Sequence, residues 1–236
     1  MSAVAAFPAA PETMLELAAW KTADLVDYVG GFSNPSKMPG YAYGIPAQDC
    51  KVGGKLRAVS GSTCSGCYAY DRGAYAWKTV KTAYRRRADR LSAPFWSEAV
   101  AEVLNRRANT RNGDVFRWHD SGDLQSVAHL RQLVAVAEMT PDVRHWLPTR
   151  EYRIVSEYVD EFGGFPGNFN VRLSAHMVGG HVPTFPRLRD HVTVSTVSTE
   201  GMPGSYACPA RFQENECGDC RACWDPDVSH VDYHLH

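Results

Sequence analysis

The sequence predicts an α/β fold: a parallel sheet of partial (β/α)-barrel type with a cysteine-rich C-terminal extension. Three observations carry the prediction. After Asn112-Gly113 short apolar runs alternate with helical patterns, and from Gly201 onward that rhythm gives way to a loop-like tail holding four cysteines. Strands separated by helices of about 10–16 residues need right-handed crossovers, which leave the strands parallel. A chain of 236 residues, 44% hydrophobic, is large enough for one such core plus a small appendage. The expected organisation is an N-terminal helical segment over residues 1–32, an α/β partial barrel over 33–200, and a metal- or cluster-binding segment over 201–236.

Taken in order, residues 12–29 place Leu15, Leu17, Ala18, Leu25, Val26 and Val29 at helical spacing, and Gly30-Gly31 ends that helix. Residues 33–40 are turn chemistry. Residues 41–45 form a short strand stopped by Pro46. A Gly/Ser-rich cysteine loop follows. Residues 75–108 read as two helices broken near Ser92-Ala93-Pro94, with Ser92 as cap and Pro94 in the first turn. Beyond them come a strand at 115–119, a helix at 124–139, a strand at 143–147, a helix at 152–162, and strands at 169–173 and 191–195. The early strand brings the count to at least five.

Ligands of parallel sheets gather at the carboxyl ends of the strands. The first strand leads into Cys50, Cys64 and Cys67. The second leads into His119-Asp120-Ser121-Gly122-Asp123 and the third into Pro148-Thr149-Arg150-Glu151. Ser174-Ala175-His176 and Ser195-Thr196 follow the last two. Each strand end turns polar where a site belongs.

The seven cysteines divide as three plus four: Cys50, Cys64 and Cys67, then Cys208, Cys217, Cys220 and Cys223. The odd count opposes complete disulfide pairing. Residues 1–11 lack the basic start and apolar core of a secretory signal, and no stretch approaches the roughly 18 apolar residues of a membrane span. A reducing cytoplasm is therefore the expected compartment, where tight C-x2-C clusters bind metal or catalyse. Thiolates suit zinc, copper(I) and iron–sulfur clusters. The four-cysteine run has the consecutive x2 spacing that wraps a [4Fe–4S] cube, with tetrahedral zinc as the alternative. Three thiolates leave one iron open, a position that S-adenosylmethionine can occupy; the alternative is zinc held by Cys50, Cys64, Cys67 and a histidine such as His119.

Other motifs carry two readings each. Asp120, Ser121 and Asp123 receive an ammonium, a ribose or a metal, or else Ser121 or Asp123 caps the next helix. Arg150 clamps a carboxylate or phosphate, or Glu151 simply favours a helix start. The basic run over residues 84–90 is a solvated helix face, with RNA or phosphate contact as the lesser reading. The net charge of −1 makes no global case for nucleic acid or membrane. His176, His181, His230, His234 and His236 show no ligand-like spacing and read as surface or core histidines.

The motifs Pro35-Ser36-Lys37-Met38-Pro39-Gly40-Tyr41, Cys64-Ser65-Gly66-Cys67-Tyr68-Ala69, residues 116–124, residues 146–152 and residues 217–224 resemble the bacteriophage gene product 88 family. That resemblance implies a phage-encoded protein acting in the bacterial cytoplasm. More distantly, a Cys-x2-Cys-Tyr-Ala loop before a parallel α/β pattern is similar to radical S-adenosylmethionine enzymes. The likeness implies a catalytic [4Fe–4S] cluster on Cys50, Cys64 and Cys67. It implies cofactor contacts from Ser121, Gly122 and Asp123, with Arg150, Ser174 and His176 as further candidates for cofactor or substrate. The remaining four cysteines would hold an auxiliary cluster, and an electron donor would be required. Two features depart from that superfamily: its usual spacing is C-x3-C-x2-C, and Gly66 replaces the common aromatic before the last cysteine. A different expectation is a non-catalytic zinc or iron–sulfur protein binding nucleic acid or a host protein. A metal-dependent hydrolase using His119, Asp120 and Asp123 lacks further hard-metal ligands in suitable spacing.

Overall fold

Side chains alternate across a strand, and Val115-Phe116-Arg117-Trp118 shows what that alternation does here. Phe116 and Trp118 face one side with no exposure, while Arg117 faces the other. In the computed structural model, which describes residues 9–235, β3 and β4 repeat that division of side chains between the two faces of the sheet. The elements are α1 (Met14–Ala19), α2 (Thr22–Tyr28), β1 (Tyr41–Tyr43), α3 (Val52–Leu56), α4 (Tyr68–Asp71), α5 (Lys78–Arg90) and α6 (Trp96–Arg107). Then follow β2 (Val115–Trp118), α7 (Val127–Glu138), β3 (Arg144–Thr149), α8 (Tyr152–Phe162), β4 (Phe169–Ser174), β5 (Thr193–Ser198), β6 (Tyr206–Ala207) and β7 (His230–His234). The sheet has seven strands in the order β1-β2-β3-β4-β5-β7-β6, all pairs parallel, and it is open.

One face of the sheet is apolar. The cross-strand row Phe116, His145 and Phe169 lies there, with Tyr43, Trp118, Leu147, Val171 and Leu173. It is covered by Leu25 of α2, Val100 and Leu104 of α6, Leu130 and Leu133 of α7, and Ile154 and Val155 of α8. These helices pack side by side in the order of the strands they connect. Each such leucine or valine contributes roughly 1.5–3 kcal/mol by leaving water, so this layer supplies most of the stability.

The opposite face is built differently. The row Arg117, Trp146, Asn170 lies beside the row Pro148, Arg172, Thr193. Arg172 is fully buried and donates to the carbonyls of Val194 (2.9 Å), Ala222 (3.1 Å), Asp225 (3.3 Å) and Val228 (3.0 Å). Asn170 donates to the carbonyls of Cys223 (2.9 Å) and Asp225 (3.3 Å), and Trp224 Nε1 donates to Phe116 O at 2.9 Å. The tail read as loop-like is therefore seated on the sheet and returns as β7 between β5 and β6. Its strand character is masked in the sequence because β7 is polar. Asp232 is buried only because Thr196 and Ser198 donate to its carboxylate at 2.5 and 2.6 Å.

Local boundaries differ from expectation for stated reasons. The helix expected over 12–29 breaks at Trp20-Lys21, where Arg106 donates to the carbonyls of Ala18 and Trp20 and to Thr22 Oγ1. Ser92 does not cap α6; Phe95, in the left-handed region at φ 54°, occupies that position and Pro94 precedes the helix. The helix expected from residue 124 starts at Val127, capped by Ser126 Oγ on His129 N (3.1 Å), so neither Ser121 nor Asp123 caps it. Of the basic run, Arg87 and Arg90 are buried and bind the turn after α2: Arg87 donates to Gly31 O and Ser33 Oγ, and Arg90 to Tyr28 O. Arg85 and Arg86 pair with Asp49 and Asp27. No described helix is long and apolar enough to cross a membrane.

Buried histidines set an acid limit, His129 and His145 among them. Burial holds His129 down to about 4 and His145 down to about 3. Because these folded-state values are depressed, their contribution is complete above the unfolded value near 6.5 and is lost as pH falls toward 3. Each is expected to withdraw about 2 kcal/mol by pH 5. Asp123, raised by burial to about 6, titrates with the opposite sign and offsets about 1 kcal/mol of that loss. Urea unfolding at pH 7 and pH 5 checks this: the pH dependence must shrink in His145→Gln, and an unchanged dependence refutes the assignment.

Candidate functional site

The long C-x13-C interval is bridged by structure. After Cys50 the chain forms α3, whose first turn is held by Glu151: its carboxylate accepts from Val52 N at 2.7 Å. Glu151 thus supports the helix inside the cysteine loop, not only the start of its own. Gly53 lies against both cysteines: a Cβ there would come within 3.2 Å of Cys50 Cβ, a tight approach, and would touch Cys64 Sγ at 3.5 Å. Thr63 then ties the loop to the end of β4, its N–H to His176 O (2.9 Å) and its hydroxyl to Ala175 O (3.0 Å). Cys67 follows at the start of α4. Burial raises the Cys50 and Cys64 thiols above their usual range, and nearby Cys67 adds to both shifts.

The turn after β2 approaches β1 closely. Ile45 N donates to Ser121 O at 3.0 Å. A Cβ on Gly44 would meet Asp120 Oδ1 at 2.2 Å, and one on Gly122, at φ +79°, would meet Ile45 O at 2.7 Å. Asp123 joins this turn to the end of β3. Its carboxylate accepts from Leu124 N (2.8 Å), Thr149 Oγ1 (2.6 Å) and Arg150 N (2.9 Å). Arg150 in turn donates Nε to Thr63 Oγ1 at 3.0 Å, which closes a ring of strand ends around the cysteine loop.

A cavity of about 710 Å³ opens at this edge. Cys50, Cys64 and Cys67 line it together with Ser121, Gly122, Asp123, Arg150 and Ser174. His176 is not brought in: its ring stacks on Tyr152 (4.4 Å) and its Nε2 lies 3.3 Å from Arg150 O. In the turn after β2, three polar atoms at the cavity are buried without a hydrogen-bond partner among the described residues: His119 Nδ1, Asp120 Oδ1 and Ser121 Oγ. Buried polar groups are ordinarily paired, so such a cluster marks a place for a polar ligand. His119 adopts φ 53° and burial holds it neutral, well below its ordinary value.

Sequence reasoning missed Arg117, Trp146 and Tyr233, which also line the cavity. The Arg117 guanidinium lies 4.6 Å from the centre of the Trp146 ring, and Arg117 Nε and Trp146 Nε1 are both buried and unpartnered among the described residues. The available signal was alternation: a lone arginine between Phe116 and Trp118 must face away from the apolar core.

The four C-terminal cysteines occupy the adjoining ground. Cys208 follows β6 with its N–H on Asp232 O (2.9 Å), and Cys217 N donates to Lys37 O (2.9 Å). Burial raises Cys208 and Cys217, and pushes Cys223 up to about 12; the four thiols also lie within electrostatic reach of one another. Tyr233 links the two regions, its hydroxyl 3.1 Å from Cys223 Sγ and its side chain at the wall of the cavity. All seven cysteines are free thiols, and among the described residues no three His, Cys, Asp or Glu side chains converge on a single-ion position.

The fold and site define an open, all-parallel α/β protein with a cysteine-lined cavity at the carboxyl edge of its sheet. The chain belongs to the gene product 88 family, whose model matches residues 15–226. No curated protein and no solved structure matches it.

Proposed function

We propose that this chain is an iron–sulfur enzyme of radical S-adenosylmethionine type, with its sheet serving as a partial barrel. The observation that carries this is the convergence in one cavity of Cys50, Cys64 and Cys67 with the polar turn after β2 and Arg150 after β3. The donor set fits in kind: three soft thiols lining one cavity, beside polar atoms that lack partners among the described residues. Held by three thiolates, a [4Fe–4S] cluster supplies an electron and an open coordination position to S-adenosylmethionine.

The protein's own groups bind and orient. Arg150 meets the ligand's carboxylate, a bidentate pairing suited to guanidinium. Ser121 Oγ and the Asp120 carboxylate receive its ammonium or ribose, and Asp123 keeps that turn locked to β3. Arg117 over Trp146 offers positive charge to an anionic substrate group, and Tyr233 helps exclude water. Cys208, Cys217, Cys220 and Cys223 hold an auxiliary cluster, and the neutral Tyr233 hydroxyl beside Cys223 donates toward its sulfur. Burial raises the Cys50, Cys64, Cys208, Cys217 and Cys223 thiols, which lose their protons on loading, so binding weakens as pH falls.

Anaerobic purification is expected to yield a brown protein with about eight irons and matching sulfide per chain. Cys64→Ser is expected to lose about half of that iron and all cleavage of S-adenosylmethionine under dithionite. A colourless protein with stoichiometric zinc, or a wild-type protein that keeps its iron but never cleaves the sulfonium, would reject the reading. The zinc outcome would leave a non-catalytic binding protein.

A further inference from the structure

The fold sorts charge in a way that the net value of −1 conceals. Between Cys50 and Lys81 stand Lys51, Lys55, Arg57, Arg72, Lys78 and Lys81, against the single carboxylate Asp71. All six cations are exposed. Lys81 takes Asp71 at 2.6 Å, whereas Lys55, Arg72 and Lys78 form no ion pair among the described residues. Flat rings are exposed on the same segment: Trp77 at 64% and Tyr68 at 57%. Tyr68 is braced edge-on by Tyr75, which stacks on Tyr84 at 5.7 Å and 15°. Tyr68 and Arg72 also line the cavity.

We propose that residues 51–81 form a binding face for a single strand of nucleic acid, which presents a nucleotide at the cavity mouth. Phosphates meet Lys55, Arg72 and Lys78, while bases stack on Tyr68 and Trp77. This is the combination that single-strand binding uses: uncompensated cations tracking the backbone, with aromatic faces for the bases. An acidic peptide would satisfy the cations but leave the exposed rings without a role. The earlier basic run, Arg85–Arg90, is not this face, because its arginines are engaged within the protein. The strand-binding face does not depend on what the thiols hold.

Fluorescence anisotropy with labelled RNA and DNA oligonucleotides of about 12 residues tests it on the full chain. Affinity is expected to fall with salt between about 50 and 200 mM, with a logarithmic slope near −2 for three phosphate contacts. Trp77→Ala is expected to weaken binding about tenfold, and the double change Lys55→Glu with Lys78→Glu by more than about tenfold, with thermal melting unchanged. Comparing the two oligonucleotides decides between RNA and DNA. Absence of binding to both at low salt overturns the proposal. So do variants that bind like wild type, and so does equal competition by polyglutamate, which would make this a dock for acidic proteins.

Discussion

Gly44→Ala is expected to destabilise the protein by about 3 kcal/mol or more and to spoil the cavity at the same time. The added methyl would sit 2.2 Å from Asp120 Oδ1, 2.7 Å from Ser121 O and 2.9 Å from Ser121 N. Two of these are backbone atoms of Ser121, whose carbonyl accepts from Ile45 N, so the clash cannot be relieved by turning a flexible side chain. The turn must move away from β1, and Ser121, Gly122 and Asp123 move with it. Gly54→Ala is the control. It lies within α3 with nothing inside 4 Å of the new methyl, and alanine is expected to stabilise the helix by up to about 1 kcal/mol. Urea midpoints for the two variants should shift in opposite directions. A Gly44→Ala protein as stable as wild type would remove the close approach from the account.

Arg172→Met is expected to cost about 3–5 kcal/mol, although methionine fills much of the same space. No carboxylate partners this buried guanidinium among the described residues; four carbonyls surround it, and three of them belong to the segment carrying Cys223. Removing the donors strands buried acceptors and frees residues 222–228 from the sheet. The damage should therefore be uneven. Thiol labelling of the metal-free protein should become faster at Cys223 while Cys64, on the far side of the cavity wall, keeps its wild-type rate. Arg172→Lys retains a charge but only one donor group, and should fall between the two. Equal labelling of Cys223 in wild type and Arg172→Met would show that the tail is held by something else.

Much of the fold was legible. The apolar alternation at 115–118 and 169–174 and the helical periodicity at 152–162 are local signals, and the structure places strands and a helix there. The candidate site was half legible, because polar motifs at successive strand ends of a parallel sheet must share one edge. The remainder was hidden for physical reasons. Cys50 looked remote from Cys64 because sequence distance ignores the fold of α3 between them. Strand β7 looked like loop because its polar residues are satisfied by Thr196 and Ser198, which lie more than thirty positions upstream. His176 matched a strand end by position, yet its ring was claimed by Tyr152.

By itself the sequence determined the parallel α/β order, the division of the thiols into three and four, and the family, since periodicity and spacing are properties of neighbouring residues. Only the tertiary structure decided which groups share the cavity, that Arg117 and Tyr233 belong to it, and that Tyr68 and Arg72 join its lining. Those outcomes depend on register and on close approaches such as Gly44 against Ser121, where contact is made between parts of the chain that no local pattern relates.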